Sequence, residues 1–344
     1  MPKTILKTLL PFALGAGILW WMYRGEDFGA LWAVVTGGMR WDWMLFSFVF
    51  GALAMVVRAV RWRMTLAPLG ERPRLRTAVD AVFVSYAASL VVPRIGEVTR
   101  CGTLKRTDGT SFSKALGTVV TERIVDSALI VLLTLVALAS QLPVFLNFLR
   151  TTGITPAGLV GRFTQTGYLV TALCLVALVG GLVFVANRYA AVRKGRDLLR
   201  DLRDGILSLR RVRRQWLYWL LSLGIWVCYF LHFYTAFFCF EATSGFPVLA
   251  AFLVFCVGTF AVLVPTPNGA GPWHFAVKTM LVIYGVAEAP AVTFALVVHT
   301  VQTLLVAVLG IGAWADLGLV KRRTPADDVV PVAASQQPFP ATNN

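Results

Sequence analysis

Long apolar runs recur along the whole chain and predict α-helices that cross a membrane. A helix rises 1.5 Å per residue, so about 20 apolar residues cross a hydrocarbon core of ~30 Å. The chain has a hydrophobic share of 57%, a charged share of 14% and a mean hydropathy of +0.71, which separates it from average soluble domains. We predict an all-α polytopic membrane protein with a single transmembrane domain over residues 1–323 and no separate soluble domain. About six full spans are predicted, at residues 5–23, 43–66, 124–142, 168–186, 216–240 and 291–314.

Two further apolar runs are too short to cross a membrane. Residues 78–92 would measure only about 22 Å as a helix and end at Pro93, and residues 248–264 end in the same way at Pro265. The basic residues explain these runs, because cytoplasmic loops of membrane proteins are rich in lysine and arginine. Of the 32 lysines and arginines, 27 fall in five segments, 1–7, 58–76, 94–123, 187–215 and 315–344. All five can be cytoplasmic only if each short run belongs to a re-entrant helical hairpin.

This arrangement predicts an inverted repeat with both termini in the cytoplasm. Residues 1–142 contain two spans, a hairpin and a span, and residues 168–315 repeat that order in the opposite orientation. Secondary transporters with this architecture bind substrate near the midplane, where broken helices of the two halves meet. Residues 187–215 show the pattern of a basic amphipathic helix on the cytoplasmic surface, and residues 324–344 the composition of a disordered tail.

The net charge of +15 does not indicate a nucleic-acid-binding protein. Such binding needs basic residues gathered on a folded polar module, whereas here they lie between apolar runs. The membrane itself, with its anionic lipid headgroups, is the natural electrostatic partner.

The end of the first short run carries three charged residues at membrane depth. Arg94, Glu97 and Arg100 leave one positive charge over after pairing, and guanidinium groups match phosphate oxygens bidentately. Ionisable residues inside a membrane are functional candidates by default, although a buried structural ion-pair network is the alternative.

Three more charged residues follow in the next helix. Glu122 and Asp126 share one helical face, and Arg123 can reach Asp126 at a spacing of three. They are predicted to be partners of the hairpin arginines, a proton-coupling site or a static salt-bridge bracket.

The second half offers a different kind of site. Asn268, Gly269 and Gly271 form a turn before a helix that begins with proline, so free backbone N–H groups would make an anion-receptive helix end. His274 and Lys278 lie one turn apart on that helix, and His299 lies on the last span. A lone buried histidine is more often a hydrogen-bonded structural residue than a ligand.

No enzymatic activity is predicted. The sequence has no G-x-S-x-G turn, no P-loop and no H-E-x-x-H motif, and its three histidines and five cysteines show no metal-ligand spacing. We therefore assign no catalytic residue, cofactor or metal.

Two motifs carry a family resemblance. Pro93-Arg94-Ile95-Gly96-Glu97 through Arg100, with the later Glu122-Arg123-Ile124-Val125-Asp126, resembles the flippase-like family of lysylphosphatidylglycerol synthase membrane regions, over roughly residues 5–320. In the second-half turn, Asn268 replaces a glycine typical of the family, and His274 stands near a typical glutamate. The resemblance implies a bacterial inner-membrane protein that handles or flips lipids.

Three functional hypotheses follow from these observations. The first is a flippase or transporter for an anionic phospholipid or a lipid-linked phosphate, which would be held by Arg94, Arg100 and the helix end after Gly271. The second is a membrane-embedded transferase acting on lipid-linked substrates, with Glu97 or Asp126 as its base. The third is a non-catalytic accessory subunit of an envelope-assembly enzyme.

Overall fold

A computed structural model describes residues 16–20, 24, 28–92, 95–151, 203–204, 207–264 and 266–320. The described residues are mainly helical and include no β-strand. The predicted span 168–186, the predicted tail 324–344, Arg94 and most of the segments 5–23 and 187–215 lie outside them.

The described α-helices agree with four of the predicted spans. In chain order they are α1 (Phe28–Ala33), α2 (Trp41–Leu66), α3 (Leu75–Val91), α4 (Gly96–Asp108), α5 (Phe112–Thr151), α6 (Gln215–Thr235), α7 (Glu241–Ser244), α8 (Val248–Ala261), α9 (Pro272–Ile283) and α10 (Glu288–Leu319). Helices α2, α5, α6 and α10 are long and apolar enough to cross a membrane. They confirm helices of membrane-crossing length at 43–66, 124–142, 216–240 and 291–314.

The first short run forms a helical hairpin made of α3 and α4. A Cβ atom on Gly96, at the start of α4, would lie 2.1 Å from the Ser85 carbonyl oxygen, so only glycine lets the two helices approach this closely. At the open end of the hairpin, Asp108 Oδ2 accepts the backbone N–H of Arg74 at 2.9 Å. Both ends of this hairpin are therefore fixed by specific contacts.

The second short run forms a hairpin of α8 and α9, joined by a 3₁₀ turn over Pro267–Gly269. Asn268 and Gly269 in this turn have φ angles of 51° and 71°, in the left-handed region. A Cβ atom on Gly269 would lie 2.8 Å from Val262 Cγ2, so glycine permits both the conformation and the close packing.

Helix contacts occur in matched pairs. The α3–α4 hairpin packs against α10, and the α8–α9 hairpin packs against α5. Helix α2 contacts α3 as α6 contacts α8, and α2 and α6 pack against each other. The contact between α3 and α10 is close, since a Cβ atom on Gly310 would lie 2.2 Å from Ala87 Cβ.

The outer faces of the long helices are apolar. Leu135 of α5 and Val308 and Ile311 of α10 are among many large apolar side chains that are more than half exposed. Soluble monomers rarely expose contiguous apolar patches beyond a few hundred Å², so these faces fit a lipid environment. Trp216 and Trp314, near helix ends, are largely exposed, as is typical of residues at a membrane interface.

Candidate functional site

Helix α2 places Arg58 and Arg61 at the centre of the fold, and neither was among the predicted site residues. Arg58 and Arg61 were counted with the basic residues between spans, at 58–76. The structure instead places both within α2, which continues without a break to Leu66, and both side chains are buried. The sequence does contain a signal for their position. Arg58 is three residues before Arg61 and four before Trp62, which places these side chains on one side of a helix, and no proline interrupts that helix before Pro68.

Helix α5 supplies the carboxylates that face these arginines. Glu122 and Asp126 lie one turn apart and are both buried. Asp126 binds two arginines at once, with Oδ2 accepting from Arg58 Nη1 at 2.6 Å and Oδ1 from Arg61 Nη1 at 2.7 Å. These charge-assisted hydrogen bonds fix α5 against α2.

Helix α4 contributes a third buried arginine. Arg100 Nη2 donates to Glu122 Oε2 at 2.7 Å, and the guanidinium lies 4.6 Å from the centre of the Trp62 ring. The Trp62 indole N–H in turn donates to Thr118 Oγ1 at 2.9 Å. The structure thus brings the predicted residues Arg100, Glu122 and Asp126 together, and it orients Arg100 by a cation–π contact. We call Arg58, Arg61, Arg100, Glu122 and Asp126 the arginine cluster.

The other charged residues of this region lie at the edge of the cluster. Arg123 Nε lies 3.1 Å from Glu97 Oε1, and both side chains are partly exposed. Arg123 therefore pairs with the hairpin and makes no salt bridge with Asp126, which is occupied by the α2 arginines. Arg94 lies outside the described residues.

The arginine cluster has three arginines and two carboxylates, so one positive charge is not neutralised within it. Several of its buried polar atoms have no hydrogen-bond partner in the described part of the chain, namely Arg58 Nε, Arg61 Nε, Arg61 Nη2 and Glu122 Oε1. Arg61 Nη2 and Glu122 Oε1 are 3.7 Å apart, which is too long for a direct hydrogen bond. Unpaired donors and a surplus charge are expensive in a buried site, so a bound anion would be favoured there.

Helix α6, from the other half of the chain, completes the surroundings of the arginine cluster. Arg61 Nη1 donates to Ser222 Oγ at 3.1 Å, and its guanidinium lies 5.6 Å from the Tyr218 ring centre. Near Arg58, the hydroxyls of Tyr229 of α6 and Tyr86 of α3 share a hydrogen bond of 2.6 Å. The site therefore depends on both halves of the protein.

The predicted residues of the second hairpin form a separate polar group. Asn268 Nδ2 donates to Thr303 Oγ1 at 2.7 Å, and the Asn268 carbonyl oxygen lies 3.1 Å from His299 Nε2. The His274 and His299 rings are 4.4 Å apart between centres. No hydrogen bond or salt bridge found among the described residues joins this group to the arginine cluster.

The helix end after Gly271 differs from the expected arrangement. The Gly271 N–H donates to His274 Nδ1 at 3.2 Å, so the helix supplies its own cap at this donor. Lys278, in the middle of α9, pairs with Glu288 at the start of α10, whose side chain is largely exposed. The structure thus places Lys278 in a surface ion pair.

Comparison with known proteins decides the family. The family model of the lysylphosphatidylglycerol synthase TM region matches residues 8–310. The chain belongs to this family. Searches of curated proteins and of solved structures found no match.

Membership in the lysylphosphatidylglycerol synthase TM family confirms the resemblance carried by the two charged motifs. The match over residues 8–310 includes all five residues of the arginine cluster as well as the α6 residues around it. In a membrane protein of this lipid-related family, a buried group of guanidiniums with a surplus charge is chemically suited to bind an anionic headgroup and to exclude water from it.

Proposed function

We propose that this protein is a lipid flippase or transporter that moves an anionic phospholipid or a lipid-linked phosphate across the bacterial cytoplasmic membrane. The observation that carries the proposal is the surplus positive charge of the arginine cluster, which lies in the interior of a membrane protein of a lipid-related family. A charge at that depth needs a partner, and a headgroup phosphate provides one.

Guanidinium geometry supports a phosphate ligand. Arg58 and Arg61 each donate from Nη1 to Asp126, while their Nε atoms have no partner within the described part of the chain. A phosphate oxygen placed beside these donors would complete their hydrogen bonds and neutralise the surplus charge.

The matched helix contacts support transport by alternating exposure. We infer that the two halves are inverted repeats, that the α3–α4 and α8–α9 hairpins are re-entrant, and that six full spans leave both termini in the cytoplasm. In this arrangement each hairpin packs on the last helix of the other half, as α3 does on α10. Secondary transporters with inverted repeats bind their substrates at the interface between the two repeats, where broken helices meet.

Access to the arginine cluster would require movement of the first hairpin. The side chains of Arg61 and Glu122 have no exposed surface, so this conformation is closed around them. Helix α4 is tied to α5 by Arg100–Glu122 and by the partly exposed Glu97–Arg123 pair. A phosphate that replaced Glu122 as the partner of Arg100 would release one of these ties.

The site argues against the transferase alternative. Both carboxylate oxygens of Asp126 accept hydrogen bonds from arginines, which stabilise its ionised form and oppose the proton uptake that a general base must perform. Glu97 is engaged with Arg123. We therefore propose that the protein is not an enzyme and that its charged residues serve lipid binding.

The proposal is tested by lipid translocation in proteoliposomes with short-chain labelled phosphatidylglycerol, its lysyl form and a polyprenyl phosphate. We expect wild type to translocate at least one of these lipids and Arg100→Gln, if folded, to lose at least tenfold in rate. Arg40→Gln is the matched control, since Arg40 forms an exposed pair with Asp42. Unchanged translocation by folded Arg100→Gln would refute the site. Inactive wild type with all three lipids would favour the accessory-subunit hypothesis.

A further inference from the structure

A second charged group lies where α3 packs against the end of α10. Arg76, in the first turns of α3, donates from Nε to Asp316 Oδ2 at 2.6 Å, and its Nη2 donates to the other oxygen of the same carboxylate. This fork joins the first hairpin to the last described helix, at the opposite end of α3 from the hairpin turn.

Asp80 lies one helical turn after Arg76 and introduces an unbalanced charge. Asp80 is 8% exposed, and its Oδ2 atom has no hydrogen-bond partner among the described residues. Asp80 is nevertheless within hydrogen-bonding reach of Asp316. The charged groups acting on Asp80 from the described helices around it are Asp316 of α10 and Arg76 of its own helix.

Two adjacent carboxylates and one guanidinium cannot all be ionised at low cost. The Arg76 fork is already occupied by both oxygens of Asp316, so an ionised Asp80 would be buried beside a like charge with an oxygen that accepts no hydrogen bond. A proton on Asp80 removes both penalties, because the resulting hydroxyl can donate to Asp316.

We propose that Asp80 and Asp316 form a proton-binding site that holds one proton between them. A cavity of about 250 Å³ lies beside it and is lined by Arg74, Arg76, Thr77, Leu319 and Val320. The side chain of Asp316 is 28% exposed, so protons from solvent can reach the Arg76–Asp316 pair. Loss of the proton places two negative charges between α3 and α10 and weakens this end of their contact.

This inference concerns a site separate from the arginine cluster and stands whether or not the protein moves lipid. If the first hairpin does move during transport, the proton site lies on the contact that the hairpin must change. Protonation then favours the docked hairpin, and deprotonation favours its release from α10.

The proton is measured directly by infrared spectroscopy of the purified full chain in lipid nanodiscs, as the band of a protonated carboxyl group. We expect wild type at pH 6 to show such a band and Asp80→Asn to lose it. Asp42→Asn removes a carboxyl from an exposed ion pair and is the matched control that keeps the band. A band that survives in Asp80→Asn, or its absence from wild type, would overturn the proposal.

A second variant tests whether the proton on Asp80 depends on Asp316 or only on the burial of Asp80. Asp316→Asn frees Arg76 to pair with Asp80, so we expect Asp80 to ionise and the band to be lost, as in Asp80→Asn. A band retained in Asp316→Asn would show that Asp80 is protonated without its neighbour and would refute the shared site. Hydrogen exchange of residues 78–82, whose amides are hydrogen-bonded within α3, should rise between pH 6 and pH 8 by more than the intrinsic exchange rate does in wild type, and not in Asp80→Asn.

Discussion

Replacement of Asp126 by asparagine tests the central ion pairs of the arginine cluster. The substitution keeps the size of the side chain and removes its charge, which leaves Arg58 and Arg61 without their shared carboxylate. Removing one partner of a buried ion pair typically costs about 3–5 kcal/mol, because the remaining charge stays buried. The cluster would then hold three guanidiniums against Glu122 alone, so we expect a loss in the upper part of this range.

The loss is measured as the free energy of unfolding in mixed micelles with increasing SDS fraction, followed by tryptophan fluorescence. Asp42→Asn is the matched control, because it makes the same chemical change in the exposed Arg40–Asp42 pair. We expect no measurable change in the control, since solvent screens that pair. A loss of less than about 1 kcal/mol in Asp126→Asn would refute the view that Asp126 compensates two buried charges.

A double variant identifies the origin of the loss. Arg58→Gln combined with Asp126→Asn removes one positive and one negative charge together, so we expect it to be less destabilised than the sum of the two single variants. Residues in direct contact typically show coupling of about 0.5–3 kcal/mol. Additive losses would mean that the two side chains act independently, in conflict with the 2.6 Å contact between them.

Three further substitutions test the packing of the first hairpin. Gly96→Ala should lower the unfolding midpoint strongly, because its Cβ would lie 2.1 Å from a backbone oxygen of α3, whereas Gly102→Ala on the same helix meets open space and should not. Gly310→Ala should destabilise the α3–α10 contact by about 1–3 kcal/mol, and Gly312→Ala, which also meets open space, should have little effect in the same unfolding assay. Tyr86→Phe should cost about 1 kcal/mol, because it removes the hydrogen-bond partner of a partly buried hydroxyl of α6. Equal effects within either glycine pair, or a neutral Tyr86→Phe, would contradict the packing described above.

The long spans could be predicted from the sequence because their signal is local. An apolar run such as 216–240 specifies a membrane helix by composition and length alone, and α6 occupies Gln215–Thr235. The two hairpins were also predictable as interrupted helices, since a proline ends each first arm and glycines open each second arm.

The partners of the charged residues could be predicted only in part. Arg100 and Glu122 are 22 residues apart and lie on consecutive helices, α4 and α5. Their contact could be predicted because consecutive helices usually pack side by side. Asp126 instead pairs with Arg58, 68 residues earlier, across two helices that share no sequence pattern. An arginine at the end of an apolar run fits both a loop and a buried helix turn, and only the tertiary contact decides between them.

The second hairpin was predicted in part. The glycine turn and the following proline correctly indicated a helix start at Pro272. Whether its N–H groups are free depends on the rotamer of His274, which turns back to accept from the Gly271 N–H. Side-chain direction at that level is set by neighbours such as the His299 ring, and the sequence pattern does not contain it.

The contacts around the arginine cluster also indicate which part of the molecule can move. Helices α2 and α6 approach so closely that a Cβ atom on Gly51 would lie 2.9 Å from His232 Nε2, and Arg61 bonds to Ser222 across the same interface. Close packing of this kind makes the pair a rigid scaffold that presents Arg58 and Arg61. Helix α4 is held to α5 by the Arg100–Glu122 and Glu97–Arg123 pairs and by an apolar cluster that includes Leu104 and Val119. An incoming anion can replace the charge pairs. Alternating exposure of the cluster would therefore come from displacement of the first hairpin against an α2–α6 scaffold that stays in place.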